Sequence, residues 1–298
     1  MPSLLSHVLV AALRLQRRRR PFTDLRALRA KIAEERRSAD PTPPRSLASR
    51  CAIAERQVAG ARVYTLSPRG GARSAHHVIY LHGGCYLFEI DPYHWRFCAA
   101  LVRTLGCEVT VPIYPLAPEH GVDDALRVAT ATYRDVATRF EGRRMTLMGD
   151  SAGGGMALAL AQRLDAEGLP QPKDLVLLAP WVDVAMDNPA IADVEARDPW
   201  LARPGLVEAG RMYAKGADAR DPRVSPLHGE LTKLGALSIF IGTRDLLLPD
   251  ARLLAARARE AGTATTLFEY EHMVHDFMLV DLLPEAKRAF ADIASVLR

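Results

Sequence analysis

The clearest candidate for chemistry is Ser151, which lies between an apolar run and a string of small residues. The stretch 144–155 reads RMTLMGDSAGGG, and this order predicts a strand, a sharp turn and a helix. In that geometry the serine hydroxyl projects from the carboxyl end of a strand, and the next amide is free to bind an anion. Gly149 and Gly153 fit the turn because a β-carbon at either position would collide with the neighbouring strand or helix. Taken alone, the pattern fits either a serine nucleophile or a glycine-rich loop, so other motifs must decide.

A second group of residues supplies candidate donors for an anion. The segment 82–85, HGGC, directly follows the apolar run 77–81, which is typical of a buried strand. Consecutive glycines let the backbone turn its amides towards one point in front of the strand ends, as an oxyanion hole requires. We therefore predict an oxyanion hole in which Gly83 shapes the turn and three backbone amides donate, those of Gly84, Cys85 and Ala152.

An acid and a base follow the serine, each just past a predicted strand. Asp245 comes after the apolar strand 237–241, and His275 comes after the strand 265–270. The chain order serine, aspartate, histidine at successive strand ends is that of the α/β-hydrolase fold. We therefore predict that Ser151, Asp245 and His275 are catalytic. Asp250 is the rival candidate for the acid.

Composition limits the class of protein. The 298 residues include 49% hydrophobic and 25% charged residues, which is typical of a globular chain with a sizeable core. The formal net charge is +4, with 35 acidic against 39 basic residues, so we expect no nucleic-acid partner. The cysteines form no CxxC pair and no Cys/His cluster with metal-ligand spacing. We therefore expect no metal, and reduced thiols in a cytoplasmic protein, at Cys51, Cys85, Cys98 and Cys107.

Alternating elements surround these motifs. Strands are predicted over 51–58, 62–66, 77–81, 108–112, 144–148, 174–178, 237–241 and 265–270. Helices are predicted over 93–105, 123–140, 152–167, 249–261 and 284–297. Alternation of this kind indicates an α/β fold with a mostly parallel sheet covered by helices on both faces.

Two further segments are predicted to form a cap. Residues 1–50 contain predicted helices over 4–19 and 23–37, and residues 51–298 form the catalytic domain. An insertion at about 181–224, with a short helix over 204–215, interrupts the alternation. Such an insertion would lie over the carboxyl ends of the strands, where α/β folds bind ligands.

The amino-terminal helix is apolar enough to raise the question of a membrane. The stretch 3–15 is too short to span a bilayer, and the cluster Arg17–Arg20 follows it instead of preceding it as in a signal peptide. We expect an amphipathic helix that packs on the body and no transmembrane segment. Weak contact with a membrane surface is the alternative.

In combination the motifs resemble the hormone-sensitive-lipase-like family of α/β-hydrolases, the bacterial carboxylesterases with an HGGG-type oxyanion motif and a GDSAGG elbow. The likeness covers about residues 50–298 and rests on segments 82–84, 114–120, 149–154 and 225–227, with Gly242, Asp245, His275 and Phe277. The resemblance implies an eight-stranded, mostly parallel sheet and a helical cap. It also implies hydrolysis of short- to medium-chain carboxylic esters without a cofactor.

Three positions depart from the family's pattern. Cys85 stands at the third glycine of HGGG, where only the backbone amide is needed. Pro115 stands where an arginine is common, and Asp276 stands where glycine is frequent. None of the three removes a catalytic group.

We interpret the chemistry as acyl transfer from a small-molecule ester to Ser151, followed by hydrolysis of the acyl-enzyme. An amide hydrolase, such as an arylformamidase, is the alternative among enzymes, and a non-catalytic ligand receptor on the same fold is the alternative of another class. The oligomeric state, including a homodimer, stays open. Candidate pocket walls, for which ordinary core packing is the equal alternative, are Tyr86, Phe88, Trp181, Met186 and Trp200.

Overall fold

The computed structural model describes residues 2–140 and 142–298. Its strands are β1 (Ala52–Val58), β2 (Ala61–Ser67), β3 (His76–Leu81), β4 (Glu108–Pro112), β5 (Arg144–Asp150), β6 (Asp174–Leu178), β7 (Ala236–Gly242) and β8 (Thr265–Tyr270). Across these described residues, the strands form one eight-stranded sheet in the order β1-β2-β4-β3-β5-β6-β7-β8. β2 pairs antiparallel with β1 and β4, and the other pairs are parallel. The predicted α/β-hydrolase fold is confirmed.

The register of the central strands brings their carboxyl ends level. Leu81 at the end of β3 pairs with Gly149 of β5, and Gly149 pairs with Leu177 of β6. β3 and β6 are buried along their whole length, because helices cover both faces of the sheet. Side chains that follow β3, β5 and β7 therefore emerge at one edge.

The helices are α1 (Leu4–Leu15), α2 (Arg20–Thr23), α3 (Leu25–Ser38), α4 (Pro92–Leu105), α5 (Val122–Arg139), α6 (Ser151–Arg163), α7 (Ile191–Glu195), α8 (Arg203–Ala214), α9 (Leu248–Glu260) and α10 (Pro284–Val296). The prediction of one helix over 4–19 was wrong, because the chain leaves the helical region at Arg17, whose φ is 52°. The Asp24 side chain caps α3 by accepting from the amides of Arg26 and Ala27. α6 also ends at Arg163, four residues short of the predicted end.

The segment between β6 and β7 contains α7, which the sequence did not predict, and α8. α2 and α3 pack against α8. The approach is close, since a Cβ added to Gly205 of α8 would lie 2.3 Å from the Cα of Phe22. Arg29 of α3 forms an ion pair of 3.1 Å with Glu208 of α8. The amino-terminal helices and the insertion therefore contact each other directly.

Among the helices that the structure describes, none combines the length and the apolar character needed to cross a membrane.

Candidate active site

Ser151 lies at a sharp turn between β5 and α6. Its φ is 51°, in the left-handed region, and the residue is only 3% exposed. Strand and helix approach closely here: a Cβ on Gly149 would lie 2.3 Å from the carbonyl oxygen of Gly153, and one on Gly153 would lie 2.1 Å from that of Leu81. The sequence therefore places its glycines where the turn leaves no room for a side chain.

Ser151, His275 and Asp245 form a continuous hydrogen-bonded series. The Nε2 atom of His275 lies 2.9 Å from the Ser151 Oγ, and its Nδ1 lies 2.8 Å from an Asp245 carboxylate oxygen. The other Asp245 oxygen accepts the amide of Leu247 at 2.9 Å. Asp250 instead accepts a hydrogen bond from the side chain of Asn188 at 2.8 Å. The structure thus brings together Ser151, His275 and Asp245, and it places Asp250 on a different partner.

Asp276 adds a second carboxylate beside the histidine. One of its oxygens lies 3.1 Å from the His275 Nε2, the same nitrogen that faces Ser151. Burial lowers the pKa of His275, but the charges of Asp245 and Asp276 outweigh burial and hold that pKa well above its ordinary value. Burial raises the pKa of Asp276 to about 6, although the charge of His275 opposes the shift.

The loop after β3 presents free amides near the serine. Gly84, Cys85 and Tyr86 all have positive φ, at 108°, 56° and 60°. Within residues 2–140 and 142–298, the amides of Gly84, Cys85 and Ala152 have no hydrogen-bond partner. The Gly83 amide is occupied, because it donates to the Asp150 carboxylate at 3.0 Å. Three of the four predicted oxyanion-hole residues therefore offer a donor, and Gly83 anchors the loop.

Asp150, directly before Ser151, bonds to the loop that follows β3, residues 82–86, which we call the oxyanion loop. Its buried carboxylate accepts from the Tyr80 hydroxyl and from His94 Nε2 at 3.1 Å, in addition to the Gly83 amide. Burial disfavours the charged forms of both Asp150 and His94, but the attraction between the two groups outweighs burial. The pKa of His94 is therefore well above its usual value, and the pKa of Asp150 is lowered. Sequence reasoning missed this ion pair, because nothing in the sequence separates His94 from the other histidines.

Two further groups hold the oxyanion loop from outside. The Tyr114 hydroxyl donates to the His82 carbonyl at 2.6 Å, and its ring stacks on the His82 ring at 4.3 Å. Burial lowers the pKa of His82 to about 4, which keeps the imidazole neutral. Arg36 of α3 donates to the carbonyl oxygens of Leu87 at 2.7 Å and Ala117 at 2.6 Å. An amino-terminal helix therefore contributes to the shape of this loop.

Asp198, also missed from the sequence, holds the loop that carries the acid. Its carboxylate accepts the amides of Trp200 at 2.7 Å, Leu201 at 2.8 Å and Leu246 at 2.8 Å. Burial and the nearby charge of Asp245 raise the pKa of Asp198 to about 6. The insertion is thus bonded to the residue directly after Asp245.

The candidate pocket residues divide into two groups. Trp200 is half-buried, and its ring lies edge-on to His275 with 5.8 Å between centroids. Tyr86 and Trp181 lie 5.7 Å apart in a buried aromatic cluster, in which Tyr86 also stacks on Tyr213. Met186 is buried near the indole nitrogen of Trp181, and Phe88 is half-buried. Of the five residues, Trp200 has its ring against His275.

The sheet order and the serine turn define the class of the protein: it is an α/β-hydrolase. The family model described as alpha/beta hydrolase fold matches residues 78–279. An acetyl-hydrolase of Streptomyces hygroscopicus is 35% identical over 223 residues, which cover 74% of this chain and 75% of that protein. The esterase LipU of Mycobacterium tuberculosis is 31% identical, with 78% of this chain and 80% of that protein covered.

A solved structure extends the likeness to the whole chain. An esterase from the bacterial hormone-sensitive lipase family superposes with a TM-score of 0.84 at 28% identity, covering 100% of this chain and 99% of that one. The chain belongs to the hormone-sensitive-lipase-like family of α/β-hydrolases. It is an ester-hydrolysing serine hydrolase, and these relatives favour neither an amide hydrolase nor a non-catalytic receptor.

Proposed function

We propose that this protein hydrolyses short- to medium-chain carboxylic esters by a two-step mechanism, with Ser151 as nucleophile, His275 as base and Asp245 as the acid that orients it. The observation that carries the proposal is the hydrogen-bonded series itself, 2.9 Å from Ser151 to His275 and 2.8 Å from His275 to Asp245. A serine hydroxyl is a weak nucleophile until a neighbouring base takes its proton, and this series supplies that base.

The steps follow from the positions of these groups. His275 Nε2 takes the proton of Ser151 as the oxygen attacks the ester carbonyl, and the carbonyl oxygen becomes an oxyanion. The free amides of Gly84, Cys85 and Ala152 bind that oxyanion, and each such donor is typically worth about 3 kcal/mol of transition-state stabilisation. The bond between the carbonyl carbon and the alcohol oxygen then breaks, His275 gives the proton to the departing alcohol, and the acyl group stays on Ser151. Water, deprotonated by His275, attacks this acyl-enzyme, the bond to Ser151 breaks, and Ser151 regains a proton as the carboxylic acid leaves. The chemistry requires no cofactor.

The preferred acyl group is expected to be short. Trp200 stands against His275, where a long acyl chain would need space. The name of the Streptomyces relative, an acetyl-hydrolase, agrees with a small acyl group. A series of p-nitrophenyl esters from acetate to laurate should therefore give the highest kcat/KM at the short end. Replacing Trp200 by alanine should move the optimum towards longer chains.

The role of Ser151 is tested by its removal. Ser151→Ala should lower kcat on p-nitrophenyl butyrate by about a millionfold, because nucleophile and base act as a unit. Circular dichroism should show an intact fold. A variant that keeps most of the wild-type activity would show that the nucleophile lies elsewhere.

The same proposal covers the setting of the enzyme. We expect a cytoplasmic enzyme, since its four cysteines are unpaired and buried. We also expect a small-molecule ester substrate and no nucleic-acid partner, since 35 acidic residues nearly balance 39 basic ones. We expect α1–α3 and the insertion at about 181–224 to act as one cap over residues 51–298. Two contacts support this arrangement. α2 packs against α8, and Asp198 of the insertion accepts the amide of Leu246, next to Asp245.

A further inference from the structure

The solvent-facing side of α1 is apolar. Leu4, Val8 and Leu15 are 80%, 56% and 85% exposed, and Leu5 is 50% exposed. The spacing of Leu4, Val8 and Leu15, together with exposed Ala11, places them on one face of the helix. The opposite face is also apolar, with Leu13 buried against the body. Exposed leucines occur singly on most proteins, but a contiguous row on one helix marks an interaction surface.

The charge next to this face has one sign. Residues 1–23 contain five arginines and no acidic residue. Arg14, Arg17, Arg18 and Arg20 are exposed. Within the described chain none of these four forms a salt bridge, whereas Arg19 pairs with Glu195. An apolar helix face beside unpaired arginines matches the acyl boundary and headgroups of an anionic lipid surface.

α1 is anchored next to the catalytic loop. The hydroxyl of Ser3 donates to the Glu285 carboxylate at 2.9 Å. Leu282, three residues before Glu285, is 76% exposed. The ring of His7 lies 6.4 Å from that of His272, in the loop that carries His275. A surface that binds α1 would therefore lie beside the loop bearing the base.

We propose that the exposed face of α1, with the arginines that follow it, docks the enzyme reversibly on anionic phospholipid surfaces, so that esters dissolved in the membrane reach the site. The substrate aspect rests on the proposed function, but the docking itself does not. A single short helix with few buried side chains gives marginal affinity, so binding should be reversible and salt-sensitive.

The test is sedimentation of the intact protein with vesicles of phosphatidylcholine and phosphatidylglycerol in equal parts. Wild type should pellet with these vesicles, less with pure phosphatidylcholine, and less as salt rises. Leu4→Ser/Leu15→Ser should weaken partitioning by about a hundredfold. Arg18→Gln/Arg20→Gln should weaken it by about thirtyfold, since each arginine near an anionic surface is worth about a factor of five.

Matched controls separate a local effect from a general one. Val207→Ser/Leu253→Ser replaces two other exposed apolar residues, and Arg103→Gln/Arg139→Gln removes two exposed arginines from the last turns of α4 and α5. Both controls should pellet like wild type. All variants should hydrolyse water-soluble p-nitrophenyl acetate at the wild-type rate, so loss of docking is distinguishable from loss of catalysis.

Three results would overturn the proposal. Wild type that stays in the supernatant would show that the protein does not bind these vesicles. Test variants that pellet as well as their controls would show that α1 and its arginines are not the binding surface. A protein that sediments in free solution as a dimer, and as a monomer after Leu4→Ser/Leu15→Ser, would show that a second copy covers the face.

Discussion

Cys85 occupies a backbone conformation that favours glycine. Its φ of 56° explains the family's glycine at this position, because the left-handed region costs a residue with a β-carbon about 1–2 kcal/mol. Burial raises the pKa of the thiol to about 12, so the side chain stays neutral. In the proposed mechanism this position contributes its amide, and its side chain adds backbone strain.

The stability of variants at Cys85 should depend on how well the new residue tolerates a positive φ. Cys85→Gly should keep kcat close to wild type. It should raise the free energy of unfolding by up to about 1 kcal/mol, because the relief of strain exceeds the loss of packing by the buried thiol. Cys85→Val should lower that free energy by about 2 kcal/mol and reduce kcat, because β-branched residues fit this region poorly. Urea unfolding and ester hydrolysis measure both. Equal stability of the two variants would contradict the assignment of strain.

Asp276 should control the pH dependence of the reaction. Its carboxylate raises the pKa of His275, and in the proposed mechanism His275 must be neutral to accept the proton of Ser151. Asp276→Asn removes that charge and keeps a residue that tolerates the observed φ of 49°. The pKa of His275 should fall, and the acidic limb of the kcat/KM profile should move to lower pH.

The control for Asp276 is Asp281→Asn, which changes an exposed carboxylate near Arg96. This variant should keep the wild-type pH profile. An acidic limb that stays in place in Asp276→Asn would mean that Asp276 does not set the pKa of His275.

The residues that sequence reasoning found share one property: each follows a predicted strand. Ser151, Asp245 and His275 could be located because strand ends meet at one edge of a parallel sheet. His94, Asp198 and Arg36 could not, since each acts through a contact between distant parts of the chain that no local pattern reveals.

At the level of elements, α3 contacts the proposed site through the side chain of Arg36. Arg36 of α3 binds the carbonyl oxygen of Leu87, just after the oxyanion loop, and that of Ala117, whose amide donates to Tyr86 of the loop. It also lies 3.2 Å from Glu119. Arg36→Ala should lower the free energy of unfolding by about 2–3 kcal/mol, since hydrogen bonds to charged groups are strong and the carbonyls would lose their donors. The freed loop should also lower kcat more than it changes KM.

Arg37→Ala is the matched control, because Arg37 is the next residue of the same helix and is exposed. Urea unfolding and kinetics on p-nitrophenyl butyrate should leave it near wild type. If both variants behave alike, α3 does not support the oxyanion loop.

Helix existence was easier to predict than helix extent. Residues 16–20 read QRRRR, which has helical propensity but no apolar period, and the backbone turns at Arg17 before a new helix begins at Arg20. α7 was missed because its five residues are too few to establish a helical period. Both errors lie in the segments that we propose as a cap.

For the whole molecule, the alternation of strands and helices predicted the class of fold and the eight described strands to within two residues at either end. The family resemblance implied an eight-stranded, mostly parallel sheet, but the order of the strands was not predicted, because strand neighbours are determined by packing across the whole sheet. How the amino-terminal helices contact α8 depends on Gly205 and Phe22, which only the assembled structure brings together.

The central claim is that Ser151 is the one activated serine, and covalent labelling tests it most directly. Wild type treated with diethyl p-nitrophenyl phosphate should gain one diethylphosphoryl group, and peptide mapping should place it on Ser151. Ser151→Ala should gain none, and His275→Ala should react far more slowly, because the base that activates the serine is gone. A label on another residue, or equal labelling of Ser151→Ala, would contradict the account.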